Sequence, residues 1–193
     1  MPASFRPAPV AQDEIHRPLK RLISQAEIDT RLDAIAAEIN RDYAHQPLTM
    51  IAVLTGSLIF LSDLMRRVTI PCQLGVIQAS SYKGAVTTPG ELQLQFEILP
   101  NLEGRAVLLV DDILDTGQTL QTLKTAFEAR LKQPVKTAVL LWKQARTKVP
   151  LTPDYCGFHI DDHFVVGYGL DYNDNYRNLP EIHVLEPGDI KES

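Results

Sequence analysis

The residues best suited to chemistry lie in one stretch, 107–120, which reads Val-Leu-Leu-Val-Asp-Asp-Ile-Leu-Asp-Thr-Gly-Gln-Thr-Leu. Its four leading residues are apolar and predict a strand covered on both faces, with Asp111 and Asp112 at its end. Two adjacent carboxylates cannot both be buried comfortably without partners. A vicinal diol suits them, because each hydroxyl donates one hydrogen bond, and a divalent cation would serve too. Thr116, Gly117, Gln118 and Thr119 then turn the chain into a helix. A turn of small and hydroxyl residues at that point exposes unpaired backbone N–H groups, and the helix dipole adds partial positive charge. Thr116 and Thr119 can add hydroxyl donors. A phosphate cradle a few residues from two diol acceptors fits a ribose 5-phosphate. Two plainer readings stand beside this one: an acidic strand end at the surface, and Asp115 as a simple helix cap.

A second group of candidates lies downstream. Lys143 follows an apolar run at 137–142, and an ammonium, which only donates, prefers a carbonyl oxygen to an amino group. Phe164 begins an unusual series, Phe-Val-Val-Gly-Tyr-Gly-Leu-Asp-Tyr-Asn-Asp-Asn-Tyr-Arg, and offers a flat face to a flat base. Taken singly, Phe164 reads as core and Lys143 as a solvated side chain. Their occurrence with the 107–120 segment favours a site.

The elements that must position these residues alternate. Ser24-Gln25-Ala26-Glu27 is a capping-box pattern, and Ile28, Leu32, Ile35, Ala36 and Ile39 recur behind it at helical spacing. Strands are expected at 48–54, 73–79, 106–110 and 137–142, with helices at 58–64 and 119–131. Residues 91–98 alternate apolar and polar, as a half-exposed strand does. Strand–helix alternation predicts an α/β fold: a mostly parallel central sheet flanked by helices, with a small irregular hood built from the chain ends. The expected organisation is a loose, proline-rich arm over 1–18 and one domain over 19–193, with the hood formed mainly by about 150–193. Ligands in such sheets bind at the carboxyl ends of the strands.

Composition narrows the function classes. At 193 residues and 45% hydrophobic, the chain suits one domain with a sizeable core. A formal net charge of −5 argues against a general nucleic-acid or anionic-membrane binder. Cys72 and Cys156 lie far apart in no metal-ligand spacing and read as reduced thiols. With no apolar run of membrane-spanning length and no apolar stretch at the N-terminus, the cytoplasm is the expected location.

The 107–120 segment resembles the phosphoribosyl-pyrophosphate signature of the type I phosphoribosyltransferases. Asp111 to Asp115 also spells the DDxxD string of terpene synthases, but that string lies on a helix, and strand residues precede it here. Residues 162–177 resemble the hood of hypoxanthine-guanine phosphoribosyltransferases, and the likeness spans roughly 20–185. The resemblance implies purine salvage: magnesium-dependent transfer of a phosphoribosyl group to N9 of hypoxanthine or guanine. It implies that Asp115 acts as general base at purine N7, that Phe164 stacks on the base, that the Val165 backbone reads its edge, and that Lys143 bonds the 6-oxo group. It further implies Asp171 as a magnesium ligand, with Asp111 and Asp112 touching magnesium directly or through water, and Arg177 on pyrophosphate. Thr55-Gly56-Ser57 matches the pyrophosphate loop, where many members carry lysine at the Thr55 position, and a cis peptide is implied at Thr55–Gly56. Ser81-Tyr82 matches the pair in a mobile loop that closes over the reaction centre. Family members are commonly homodimers or homotetramers. A phosphoribosyltransferase-like regulator that binds nucleic acid is the alternative, and the acidic balance and intact hood weigh against it.

Overall fold

The computed structural model describes residues 19–80 and 93–186. The expected arm at 1–18 and the Ser81-Tyr82 pair lie outside the described residues.

The first described elements are β1 (Lys20–Ile23) and α1 (Gln25–Asp42). Ser24 caps α1 reciprocally: the Glu27 N–H donates to Ser24 Oγ, and the Ser24 N–H donates to the Glu27 carboxylate at 2.8 Å. The expected stripe, Ile28, Leu32, Ile35, Ala36 and Ile39, is the face that α1 buries. Then follow β2 (Leu48–Val53), α2 (Leu58–Met65), β3 (Cys72–Ser80), β4 (Gln93–Ile98), β5 (Ala106–Leu114), α3 (Gln118–Leu131) and β6 (Lys136–Trp142). The chain closes with β7 (Tyr155–His159), β8 (Val165–Val166) and β9 (Ile182–Val184).

The large sheet runs β4-β3-β2-β5-β6-β7; all its pairings are parallel except the edge pair β3–β4, which is antiparallel. Alternate residues of each strand face opposite sides. Met50, Leu108 and Leu140 therefore pack under α1 and α2, while Ile51, Leu109 and Val139 pack under α3. A second, antiparallel sheet of order β1-β9-β8 joins both ends of the chain, and Val165, Ile182 and Val184 extend the core beneath α1 and α2.

Two departures from the sequence reading affect the site. First, β5 runs to Leu114 rather than ending at 110, because β6 continues alongside it with Asp111 opposite Val139 and Leu114 opposite Trp142. The acidic pair is thus inside the strand. Second, Tyr155–His159 pairs with β6, Tyr155 opposite Ala138 and Phe158 opposite Leu141, and becomes the last strand of the large sheet. The small sheet takes its C-terminal share from Val165 onward, not from about 150. The edge strand β7 is blunted by Arg31 of α1, whose guanidinium donates to the carbonyls of Cys156 and Gly157. Both cysteines are free, and both are half-buried.

Candidate active site

The strands β2, β5 and β6 point their carboxyl ends at one cleft, and most of the candidate residues gather there. A cavity of about 570 Å3 is lined by Asp112, Asp115, Lys143, Phe164, Val165 and Asp171, together with Arg146 and Asp162. A smaller one of about 230 Å3 is lined by Asp111, Asp115, Thr116, Gly117 and Thr119. Asp115 lines both, so it stands between the cradle and the larger chamber.

The 116–119 turn leads directly from β5 into α3. Gly117 is the N-cap residue of α3 and makes no side-chain cap, which leaves the first N–H groups of the helix for an anion. Asp115 does not cap the helix. Its carboxylate is paired with Arg146, Nε to Oδ1 at 2.6 Å.

Asp111 and Asp112 keep a little open surface but lie deep in the cleft. Burial, and then the adjoining Asp112 charge, hold the Asp111 carboxyl well above the usual carboxylate range. Burial raises Asp112 as well, opposed by hydrogen bonds at its carboxylate, including the Ile113 N–H at 2.8 Å, and by Arg177. A group raised in the folded state costs stability above its unfolded pKa and nothing below it. Asp111→Asn is therefore expected to raise the melting temperature of the ligand-free protein at pH 7 by about 2–4 °C, the change made by about 1 kcal/mol in a domain this size. The gain should vanish near pH 4, where an unfolded aspartate is half protonated. Calorimetry at the two pH values checks this, and an unchanged or lowered melting temperature at pH 7 overturns it.

Thr55, Gly56 and Ser57 connect β2 to α2. The ladder ends with the Leu54 N–H on Ile77 O at 2.8 Å, and the chain reverses at the next peptide. The cis bond is Leu54–Thr55, one position before the Thr55–Gly56 bond that the resemblance implied. Thr55 is exposed, whereas Ser57 is buried and its hydroxyl donates inward to Val53 O at 2.6 Å. The Ser57 side chain thus anchors the loop, which leaves the loop's backbone and the exposed Thr55 side chain to meet a ligand. Gly56 packs so closely on Asp112 that a Cβ there would overlap its carboxylate. On the other side, Gly169 sits against Gly56 O at φ +100°, a conformation that L side chains rarely adopt. The Gly169 carbonyl in turn accepts from Arg177 Nη1 at 2.9 Å. One run of contacts, Asp112–Gly56–Gly169–Arg177, thus joins the acidic pair, the loop and the hood.

In the hood, Arg177 Nη2 pairs with Asp171 at 2.8 Å and Asp174 at 3.1 Å. Phe164 is 47% exposed and meets Tyr172 edge to face at 5.7 Å, so it is not the core residue that its type alone suggests. Val165 is buried in β8 opposite Val184. Lys143 is only 7% exposed, against the solvated side chain expected of a lone lysine, and its Nζ lies 3.4 Å from Asp162.

The Phosphoribosyl transferase domain family matches residues 23–173. The chain belongs to the phosphoribosyltransferase family. This phosphoribosyltransferase is 38% identical over 167 residues to the hypoxanthine-guanine phosphoribosyltransferase of Streptococcus pneumoniae, covering 86% of this chain and 93% of that protein. It is 36% identical over 174 residues to the Staphylococcus aureus protein of the same name, covering 90% and 97%. Among solved structures, a hypoxanthine phosphoribosyltransferase from Staphylococcus aureus superposes with a TM-score of 0.86 at 33% identity, covering 95% of this chain and all of that one (100%). A mutant hypoxanthine phosphoribosyltransferase from Trypanosoma cruzi, in a ternary substrates complex, gives 0.82 at 38% identity over 88% and 96%.

Two charged side chains of the transferase's cavity were missed by sequence reasoning. Arg146 ends a single 3-10 turn after β6, and Asp162 lies in the loop before β8. Arg146 Nη1 reaches both oxygens of Asp162, at 3.0 and 3.2 Å. Arg146, then Lys143, hold Asp162 below the usual carboxylate range. Charged residues in polar loops carry no periodicity, so only Asp162's place at the head of the hood segment could have marked it.

Proposed function

We propose that the protein is a hypoxanthine-guanine phosphoribosyltransferase of purine salvage, forming IMP or GMP and pyrophosphate from phosphoribosyl pyrophosphate. One observation carries this reading: Asp115 lines both the phosphate cradle at 116–119 and the larger chamber that holds Lys143 and Phe164. A base on Phe164 would stack on an aromatic face already open to the cavity. Lys143, its charge balanced by Asp162, would donate to a 6-oxo group and would meet the 6-amino group of adenine donor to donor. Asp111 and Asp112 would accept from the ribose hydroxyls.

In the reaction, N9 bonds to C1′ as the C1′–O bond to pyrophosphate breaks, and that bond's electron pair leaves with pyrophosphate. The proton on purine N7 passes to the Asp115 carboxylate. Arg177 and the amides of the Thr55 to Ser57 loop would hold the leaving group.

The donors fit magnesium. Asp171 lies at the cavity with a hard oxygen set, and the two raised carboxylates of Asp111 and Asp112 would be eased by a cation. Among the described residues no three metal-ligating side chains gather into a cage, so the substrate would have to supply part of the coordination. Bound there, magnesium would supply neutralisation of the pyrophosphate charge.

The test is an assay of the purified protein with magnesium, phosphoribosyl pyrophosphate and each of hypoxanthine, guanine, xanthine and adenine. Nucleotide from 6-oxopurines and none from adenine is the expected result. No product from any base, with phosphoribosyl pyrophosphate still bound, would replace the enzyme reading with that of a sensor.

A further inference from the structure

The Arg146 guanidinium lies between two carboxylates from different segments. Its Nε donates to Asp115 Oδ1 at 2.6 Å, and its Nη1 donates to Asp162 at 3.0 Å. Asp162 Oδ1 also lies 3.4 Å from Lys143 Nζ. The result is a chain of alternating charge, Lys143–Asp162–Arg146–Asp115, and all four residues line the larger cavity. It ties together the end of β6, the turn after β5 and the loop entering the hood.

Stability does not account for this chain. Arg146 and Asp162 are 44% and 53% exposed, and exposed ion pairs are worth only about 0–1 kcal/mol. Geometry does. Lys143 is nearly buried, and a buried ammonium needs a counter-charge. Among the described residues, Asp162 is the carboxylate within ion-pair reach of it. At the other end, Arg146 occupies Asp115 Oδ1, and Oδ2 has no donor among the described residues, so it can take a proton. The two ends of the chain are the groups assigned above to the 6-oxo oxygen and to N7. Those atoms are neighbours on one edge of a purine.

We infer that Arg146, held by Asp162, is a positioning residue that fixes the Asp115 carboxylate relative to Lys143, so that the base edge meets one rigid unit. This rests on the purine-transfer reading. A guanidinium suits the task because its N–H groups diverge in a fixed plane, whereas an ammonium on a flexible stem holds two carboxylates in no fixed mutual orientation.

Steady-state kinetics of Arg146→Ala, Asp162→Ala and the double variant test it. Each single change is expected to lower kcat/KM for hypoxanthine about tenfold or more, with KM for phosphoribosyl pyrophosphate within about twofold. The double variant should lose about as much as one single, because members of a unit are not additive. Arg146→Lys should recover only part of the loss. If Arg146→Ala fails to fold, Arg146→Gln carries the same test. Unchanged kinetics for hypoxanthine overturn the inference, as do losses that multiply in the double variant or fall equally on both substrates. An inactive wild type would instead remove the purine-transfer reading.

Discussion

Asp115→Asn is expected to lower kcat by about 100- to 10,000-fold, the contribution a positioned general base makes to a proton transfer. The substitution keeps the shape of the side chain and an oxygen able to accept from Arg146 Nε, now 2.6 Å from Oδ1. What it removes is the capacity to take a proton. KM for phosphoribosyl pyrophosphate should stay within about twofold, because the proposed ribose and phosphate contacts rest on other residues, Asp111, Asp112 and the 116–119 turn. The melting temperature should hardly move, since the lost partner is a half-exposed ion pair. Single-turnover measurements would separate chemistry from product release. A kcat close to that of wild type would take Asp115 out of the proton transfer. A large rise in KM for phosphoribosyl pyrophosphate would assign it to ribose binding instead.

Gly56→Ala should be nearly as damaging for a different reason. The added methyl would occupy the space of the Asp112 carboxylate. Asp112 is held by the Ile113 N–H at 2.8 Å, and the Gly56 carbonyl is backed by Gly169. The loop must shift, and a misplacement of about 1 Å near reacting groups costs about 100-fold. The expected outcome is a loss of about 100-fold or more in kcat/KM, together with about 1–3 kcal/mol of stability from overpacking. Stability should fall even without ligands, which distinguishes this variant from Asp115→Asn. A variant with normal turnover would show that the Asp112–Gly56–Gly169 contacts are incidental to catalysis.

The parts of the protein that were legible in the sequence are those whose cause is local. The capping box at Ser24 and Glu27 closes over three residues, and the buried stripe of α1 repeats with the helix turn. The strand, small-residue turn and helix in succession over residues 106–131 form in that order. The resemblance extended this to the hood, whose residues Phe164, Val165 and Asp171 do line the same cavity as Asp115.

What the sequence could not show depends on segments meeting across the fold. The length of β5 follows from its pairing with β6, which carries Asp111 and Asp112 into the strand. The counter-charge of the buried Lys143 comes from Asp162, 19 residues away, and the bridge from Arg146 to Asp115 spans 31. That Gly56 lies against Asp112, and Gly169 against the Gly56 carbonyl, follows only from β5 and the hood being laid on the loop. By itself the sequence determined the main helices and strands between 24 and 142, the alternation that makes a parallel sheet, and the kinds of group at the strand ends, because periodicity and turn chemistry act over a few residues. Only the tertiary structure decided which charges face each other and which glycines admit no methyl, because those depend on distances between backbones that close packing sets.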